Sequence, residues 1–299
     1  ILIISALVAG LCSCSTKQSS SSMKDVARKI RDLTTDEKLH LVIGDKLGTA
    51  ADGSAVVGTT EKYVPGAAGN TFAIPRLGIT SVVMADGPAG VRIDSIRKDT
   101  HRAFYCTHFP IATLLASTWN SALVHDVGHA IGDEAKEYGI DVLLAPAINI
   151  QRNPLCGRNF EYYSEDPLLA GKLGAAYING VQEMGVGTSL KHFAVNNQET
   201  NRQNVDVRIS RRALREIYLK GFEIAVKESQ PLSIMTSYNL INGLHTANSH
   251  DLIQAAARDE WGFEGVVMTD WFTSQDVPVI SGTGHIYPIS ASTGCVYAG

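Results

Sequence analysis

The chain has 299 residues, 44% of them hydrophobic and 19% charged, which suits one large core or two small ones and argues for an ordered globular protein. Its formal net charge of -4 offers no basic face to a phosphate backbone, so nucleic-acid binding has no electrostatic support. A neutral or polar small ligand fits better.

The first predicted element is the apolar run from Ile1 to Leu11, followed by Cys12-Ser13-Cys14 and a serine-rich stretch to Ser22. It is too short to span a bilayer and reads as the apolar region of a signal peptide. It has neither initiator Met nor basic flank, so the reading expects a chain clipped at its start. Leu11-Cys12-Ser13-Cys14 resembles a bacterial lipobox, which leaves two expectations open: a lipid anchor at Cys14, or plain secretion or periplasmic export. Residues 1–22 are thus expected to be leader and linker, and residues 23–299 one domain. Cys106, Cys156 and Cys295 are too scattered for a disulfide framework or a CxxC metal site, and no cofactor is expected.

Along the domain, helical patterns alternate with short apolar runs. Thr34 and Glu37 form a capping-box pattern. Strands are predicted at residues 81–85 and 112–116, and Asn120 or Ser121 then starts a helix that runs to Tyr138 and stops at Gly139. Further strands are predicted at 141–145 and 188–192. Ser210 caps a helix with Leu214, Ile217, Phe222 and Ala225 on one face. After a strand at 232–236, Ser249 opens a helix that stops at Gly262, and the last strands fall at 265–269 and 294–298.

These runs are continuously rather than alternately apolar, which means burial on both faces, and repeated βα units imply a parallel sheet. Nearly every run ends in polar groups: Asp86, Thr118, Asn149, His192 with Asn196 and Asn197, Tyr238 with Asn239, and Asp270 with Trp271. In a (β/α)8 barrel these ends converge on one mouth, and in the alternative, an open doubly wound sheet, they spread along a crevice. The barrel is favoured. With seven runs visible, either one strand is degenerate near the N-terminal helix, or the run at 295–298 is the eighth strand cut short.

The chemistry sits at those ends. Asp270 beside Trp271 pairs an anion for an oxocarbenium-like centre with a flat surface for a pyranose, although read alone Asp270 is equally a helix N-cap. Asp86-Gly87-Pro88-Ala89-Gly90-Val91-Arg92 holds a carboxylate able to accept two hydroxyls and a guanidinium to steady it, or is an ordinary turn. Arg158 and Glu161 either pair across one turn with donors to spare or make a simple salt bridge. Lys191-His192-Phe193 runs into the polar stretch from Asn196 to Arg202, which suits a polyhydroxylated ligand and also suits a solvated loop. His125 and His129 stand one turn apart without the Glu of a zinc motif and are set aside as surface, as is Gly44-Asp45-Lys46-Leu47-Gly48.

Met84-Ala85-Asp86-Gly87-Pro88, Gly157-Arg158-Asn159-Phe160-Glu161, Lys191-His192-Phe193, Ser237-Tyr238-Asn239 and Met268-Thr269-Asp270-Trp271, in this order, resemble glycoside hydrolase family 3. The resemblance covers about Thr34 to Gly299. It implies Asp270 as nucleophile, with Asp86, Arg92, Arg158, Lys191, His192 and Tyr238 lining the terminal-sugar subsite and Trp271 flanking the leaving-group sugar. Lys-His-Phe-Ala-Val-Asn-Asn differs from the loop of the N-acetylglucosaminidase branch, and Asp-Gly-Pro looks like the β-glucosidase branch. Members of that branch carry a second α/β sandwich domain that supplies a Glu acid/base, and this sequence shows none. The expectation is therefore a fragment of a retaining exo-acting β-glucosidase, inactive or nearly so alone, that takes a β-glucoside or oligosaccharide substrate. The alternatives are an inert sugar-binding protein or a β-xylosidase.

Overall fold

The computed structural model describes residues 20–45, 57–58, 60–97, 100, 102–273 and 292–299. The leader with Cys12 and Cys14 lies outside them, as does most of the segment from Lys46 to Thr59. Helix α1 (Ser20–Asp32) begins inside the expected serine-rich linker, and α2 (Thr35–Ile43) follows with both halves of the Thr34/Glu37 capping box formed.

The main sheet contains β1 (Gly69–Asn70), β2 (Val83–Asp86), β3 (Val142–Leu144), β4 (Gly187–Phe193), β6 (Ser233–Thr236) and β9 (Val266–Met268), neighbours in that order. Strand β1 is antiparallel to β2, and the other five are parallel throughout. Each parallel strand lies beside the one before it in the chain. A doubly wound sheet reverses its strand order at a switch point, whereas unbroken succession is the winding of a (β/α)8 barrel. A second, small sheet joins β5 (Asp206–Val207), β7 (Leu240–Ile241) and β8 (Leu244–His245).

Period-two alternation divides the strand residues between two apolar layers. Val83, Ala85, Leu143, Leu190 and Ile234 pack with Val124, Ile131, Leu173, Tyr177, Ile178 and Phe222 of the helices. On the opposite face, Leu144 and Met235 form a separate cluster with Ala68, Met84, Met268 and Trp271. The same alternation places Asp86 two residues beyond Met84 and Asp270 two beyond Met268, so both carboxylates crown the inner layer.

Two expected strands are helices. Residues 112–116 form α3 (Ala112–Ala116), with Ala112, Leu115 and Ala116 buried, a helical i, i+3, i+4 spacing that a short apolar run conceals. Residues 294–298 fall in the helix Ser292–Ala298. There Val296 and Tyr297 are exposed while Ala298 is buried, against the neighbouring turn Thr246–Asn248 and helix Asp251–Glu260.

Helix α4 (Ser121–Glu137) is capped by Asn120, and α5 (Pro167–Glu183), capped by Asp166, was not anticipated. Ser210 caps the next helix as expected, but residues 214–218 form a π-helical turn before α6 (Lys220–Ser229). The widened turn rotates the stripe, leaving Ile217 40% exposed and Leu219 buried instead. The helix opened by Ser249 is likewise π-helical over Asp251–Glu260.

Helices α4 and α5 approach closely because glycines face backbone. A Cβ on Gly180 would lie 2.1 Å from the His125 carbonyl oxygen, and one on Gly128 2.5 Å from that of Tyr177. Gly180→Ala is therefore expected to cost about 1–3 kcal/mol by forcing the helices apart. A melting temperature several degrees lower would show it, and an unchanged one would contradict the close approach.

Candidate active site

The site is assembled from the C-terminal ends of β2, β4, β6 and β9 and the loop after β3. Asp86 closes β2 and enters a tight turn. A Cβ on Gly87, at φ 137°, would meet the Gly90 carbonyl oxygen at 1.6 Å, so only glycine permits the chain to fold back and pair Arg92 with Asp86 through Arg92 N–H to Asp86 O at 2.9 Å. Lys191 Nζ donates to Asp86 Oδ1 at 3.1 Å and Arg92 Nη1 stands 3.7 Å from Oδ2. Burial pushes the Asp86 carboxyl up. The Lys191 ammonium, aided by Arg92 and Arg158, overcomes this and holds it below the usual carboxylate range.

Strict alternation along β4 would turn His192 away from Lys191. Instead the pairing of β4 with β6 shifts between Leu190 and Phe193, so those two residues both join the helix-facing core while Lys191 and His192 both serve the site. Bulges re-aim side chains in this way. Asn149, from the segment after β3, fixes the bulge: its Oδ1 accepts from the His192 N–H at 2.9 Å, and its Nδ2 donates to the His192 carbonyl at 2.8 Å. The Tyr162 ring meets His192 edge-on at 6.3 Å between centroids.

Asp270 is 8% exposed. Its Oδ1 accepts from the Trp271 N–H at 2.8 Å, its Oδ2 lies 3.9 Å from His192 Nε2, and the pairing of β6 with β9, Met235 opposite Met268, sets Tyr238 beside it. Burial raises the Asp270 carboxyl above its ordinary value, opposed by Lys191, Arg158, the Trp271 N–H and Tyr238. Burial, with the charges of Arg158, Lys191 and Arg202, drives His192 well below the ordinary imidazole range, so it is a neutral hydrogen-bonding group. Burial and the Asp270 charge raise Tyr238, which keeps its proton.

Arg158 pairs with Glu161, which is 3% exposed, inside a 3-10 turn. Burial disfavours the guanidinium and Glu161 more than restores it, so Arg158 stays charged while also acting on Asp86 and Asp270. Trp271 is half-buried, with its side chain packed in the inner Met-rich cluster. Arg202 lies 4.8 Å from the Tyr238 ring centroid. The structure thus brings Asp86, Arg92, Arg158, Lys191, His192, Tyr238 and Asp270 into one connected set. His125 instead pairs with Glu183 at 3.1 Å, outside this set. The clamping of His192 by Asn149 and the stacking of Arg202 on Tyr238 were not legible beforehand, because both join segments far apart in the chain.

The model of the glycosyl hydrolase family 3 N-terminal domain matches residues 80–295. Over 206 residues the sequence is 52% identical to beta-glucosidase A of Butyrivibrio fibrisolvens, covering 68% of this chain and 24% of that protein. It is 45% identical over 251 residues to an exo-alpha-(1->6)-L-arabinopyranosidase of Bifidobacterium longum, covering 83% and 30%. Beta-glucosidase 3B from Thermotoga neapolitana, solved in complex with alpha-D-glucose, superposes with a TM-score of 0.78 at 52% identity, over 82% of this chain and 33% of that one. The chain spans about a quarter to a third of the length of these relatives.

Proposed function

Because the chain belongs to glycosyl hydrolase family 3, we propose that it carries the nucleophile and terminal-sugar subsite of a retaining, exo-acting β-glucosidase. The observation that supports this best is the buried Asp270 carboxylate, hydrogen-bonded by the Trp271 N–H and set among cations that keep it ionisable. One Asp270 oxygen attacks C1 of the sugar as the C1–O bond to the leaving group breaks, and the leaving oxygen takes a proton from a general acid. Water, deprotonated by that same residue, then attacks C1 and frees Asp270, so two inversions retain configuration. Asp86 accepts hydroxyl hydrogen bonds on the far side of the ring, steadied by Lys191 and Arg92, and Arg158 and His192 contribute further polar contacts. Trp271 flanks the leaving group.

Neither Asp86 nor Glu161 suits the acid role. Each is committed to a cation, and Asp86 is held in the carboxylate form. The reading places the acid/base outside these 299 residues, which predicts little turnover from them in isolation. The apolar run from Ile1 to Leu11 supports export, with Cys14 as the acylated residue where a lipid anchor is used.

A pentopyranoside substrate is the second reading, favoured by the 45% identity to an arabinopyranosidase. Comparing kcat/KM of the complete protein on aryl β-glucoside, β-xyloside and α-L-arabinopyranoside decides between them. Glucose binding without turnover of any of the three would instead mark an inert sugar-binding protein.

The raised Asp270 carboxyl also fixes the acid side of the pH profile. The attacking form is the anion, so kcat/KM is expected to fall as pH drops through a value above 3.8, the ordinary value of this group. Lys191→Met removes a cation that favours the anion, and so should move that limb to higher pH. A limb that stayed in place or moved down would contradict the assignment.

A further inference from the structure

We infer that Arg202 is a positioning residue for the nucleophile: its guanidinium, anchored by Glu199, lies over the Tyr238 ring and fixes the phenol that stands beside the Asp270 carboxylate. The inference rests on the reading of Asp270 as nucleophile and adds a residue that acts on it through Tyr238. Arg202 Nη1 donates to Glu199 Oε2 at 3.0 Å. Glu199 Oε1 is in turn held by Asn196 Nδ2 at 3.1 Å, and the same amide nitrogen donates to the Tyr162 hydroxyl at 2.9 Å. Tyr162 packs edge-on against His192. A continuous run of contacts therefore links the loops after β3 and β4 and ends with the guanidinium 4.8 Å from the centre of the Tyr238 ring.

A planar guanidinium can bond Glu199 through its edge while its face lies on the aromatic ring, which a lysine ammonium cannot do. Tyr238 is 8% exposed, the register of β6 on β9 sets it beside Asp270, and together with the Trp271 N–H it lowers the Asp270 carboxyl. The other charged or titratable groups facing Asp270 are Lys191 and His192 from β4 and Arg158 from the loop after β3. Arg202 lies on Tyr238 and, beside the larger effect of burial, its charge also lowers His192, so Arg202→Lys, which keeps the charge, separates loosening of the stack from loss of charge.

The test compares Arg202→Met, Arg202→Lys, Tyr238→Phe and the Arg202→Met/Tyr238→Phe double variant in the complete protein, by kcat/KM on an aryl glycoside across pH. Arg202→Met and Tyr238→Phe are each expected to lower kcat/KM about 10-fold, the size of one lost hydrogen bond to a charged group. Each should move the acid limb to higher pH, and the double variant should match Tyr238→Phe alone. Multiplying losses, an unmoved limb, or full restoration by Arg202→Lys would each overturn the inference, the last by showing a pure charge effect. Should Arg202→Met fail to fold, Glu199→Gln releases the guanidinium and should shift the limb the same way by less. No shift there is equally fatal. Turnover surviving in Asp270→Asn would sink the nucleophile reading itself, whatever the Arg202 variants do.

Discussion

Asp270→Ala is expected to lower kcat on an aryl β-glucoside by about 10⁴-fold or more, the scale of losing a covalent nucleophile. The fold should survive, because Asp270 donates no hydrogen bond and the Trp271 N–H it caps lies at the mouth. A stronger result concerns stereochemistry. With azide filling the space left by the carboxylate, a single displacement replaces two, so the product should be the glycosyl azide of inverted configuration. In the intact protein, a 2-fluoro glucoside should leave its label on Asp270. A label on Glu161 or Asp86, or an alanine variant within tenfold of the parent, would remove Asp270 from the mechanism.

Arg158→Met is expected to damage stability and activity together. Glu161 is 3% exposed and its carboxylate is paired with Arg158, so the substitution strands a buried anion at a cost of about 3–5 kcal/mol. The same guanidinium also acts on Asp86 and Asp270, so activity should fall with stability. The Arg158→Met/Glu161→Met double variant separates the two effects. Removing both charges should return most of the melting temperature, yet hydrolysis should stay low. Recovery of both together would mean that Arg158 is only structural.

The parallel strands were legible because burial on two faces writes continuous apolar runs, as at Val142–Leu144. Ala112–Ala116 misled because five residues are too few for period to be read by eye, although Ala112, Leu115 and Ala116 carried helical spacing. Ile217 misled because a π-helical turn leaves no mark in the residues that form it. The candidate site residues were legible by type, as carboxylates and cations at strand ends. Their partnerships were not. That His192 joins Lys191 depends on a bulge, and that Asn149 holds it depends on two segments 43 residues apart.

Lys191 has a consequence that reaches past its own contacts. One ammonium, 3.1 Å from Asp86, also attracts the carboxylate of Asp270. On the proposed reading, a sugar hydroxyl that binds Asp86 redistributes that shared charge, so occupation of the far side of the ring alters the proton affinity of the group that attacks the near side. Linkage is reciprocal: whatever the sugar does to the acidity of Asp270, the ionisation of Asp270 does to the affinity for the sugar. Recognition and readiness to react are then a single coupling free energy, seen from opposite ends of one pyranose.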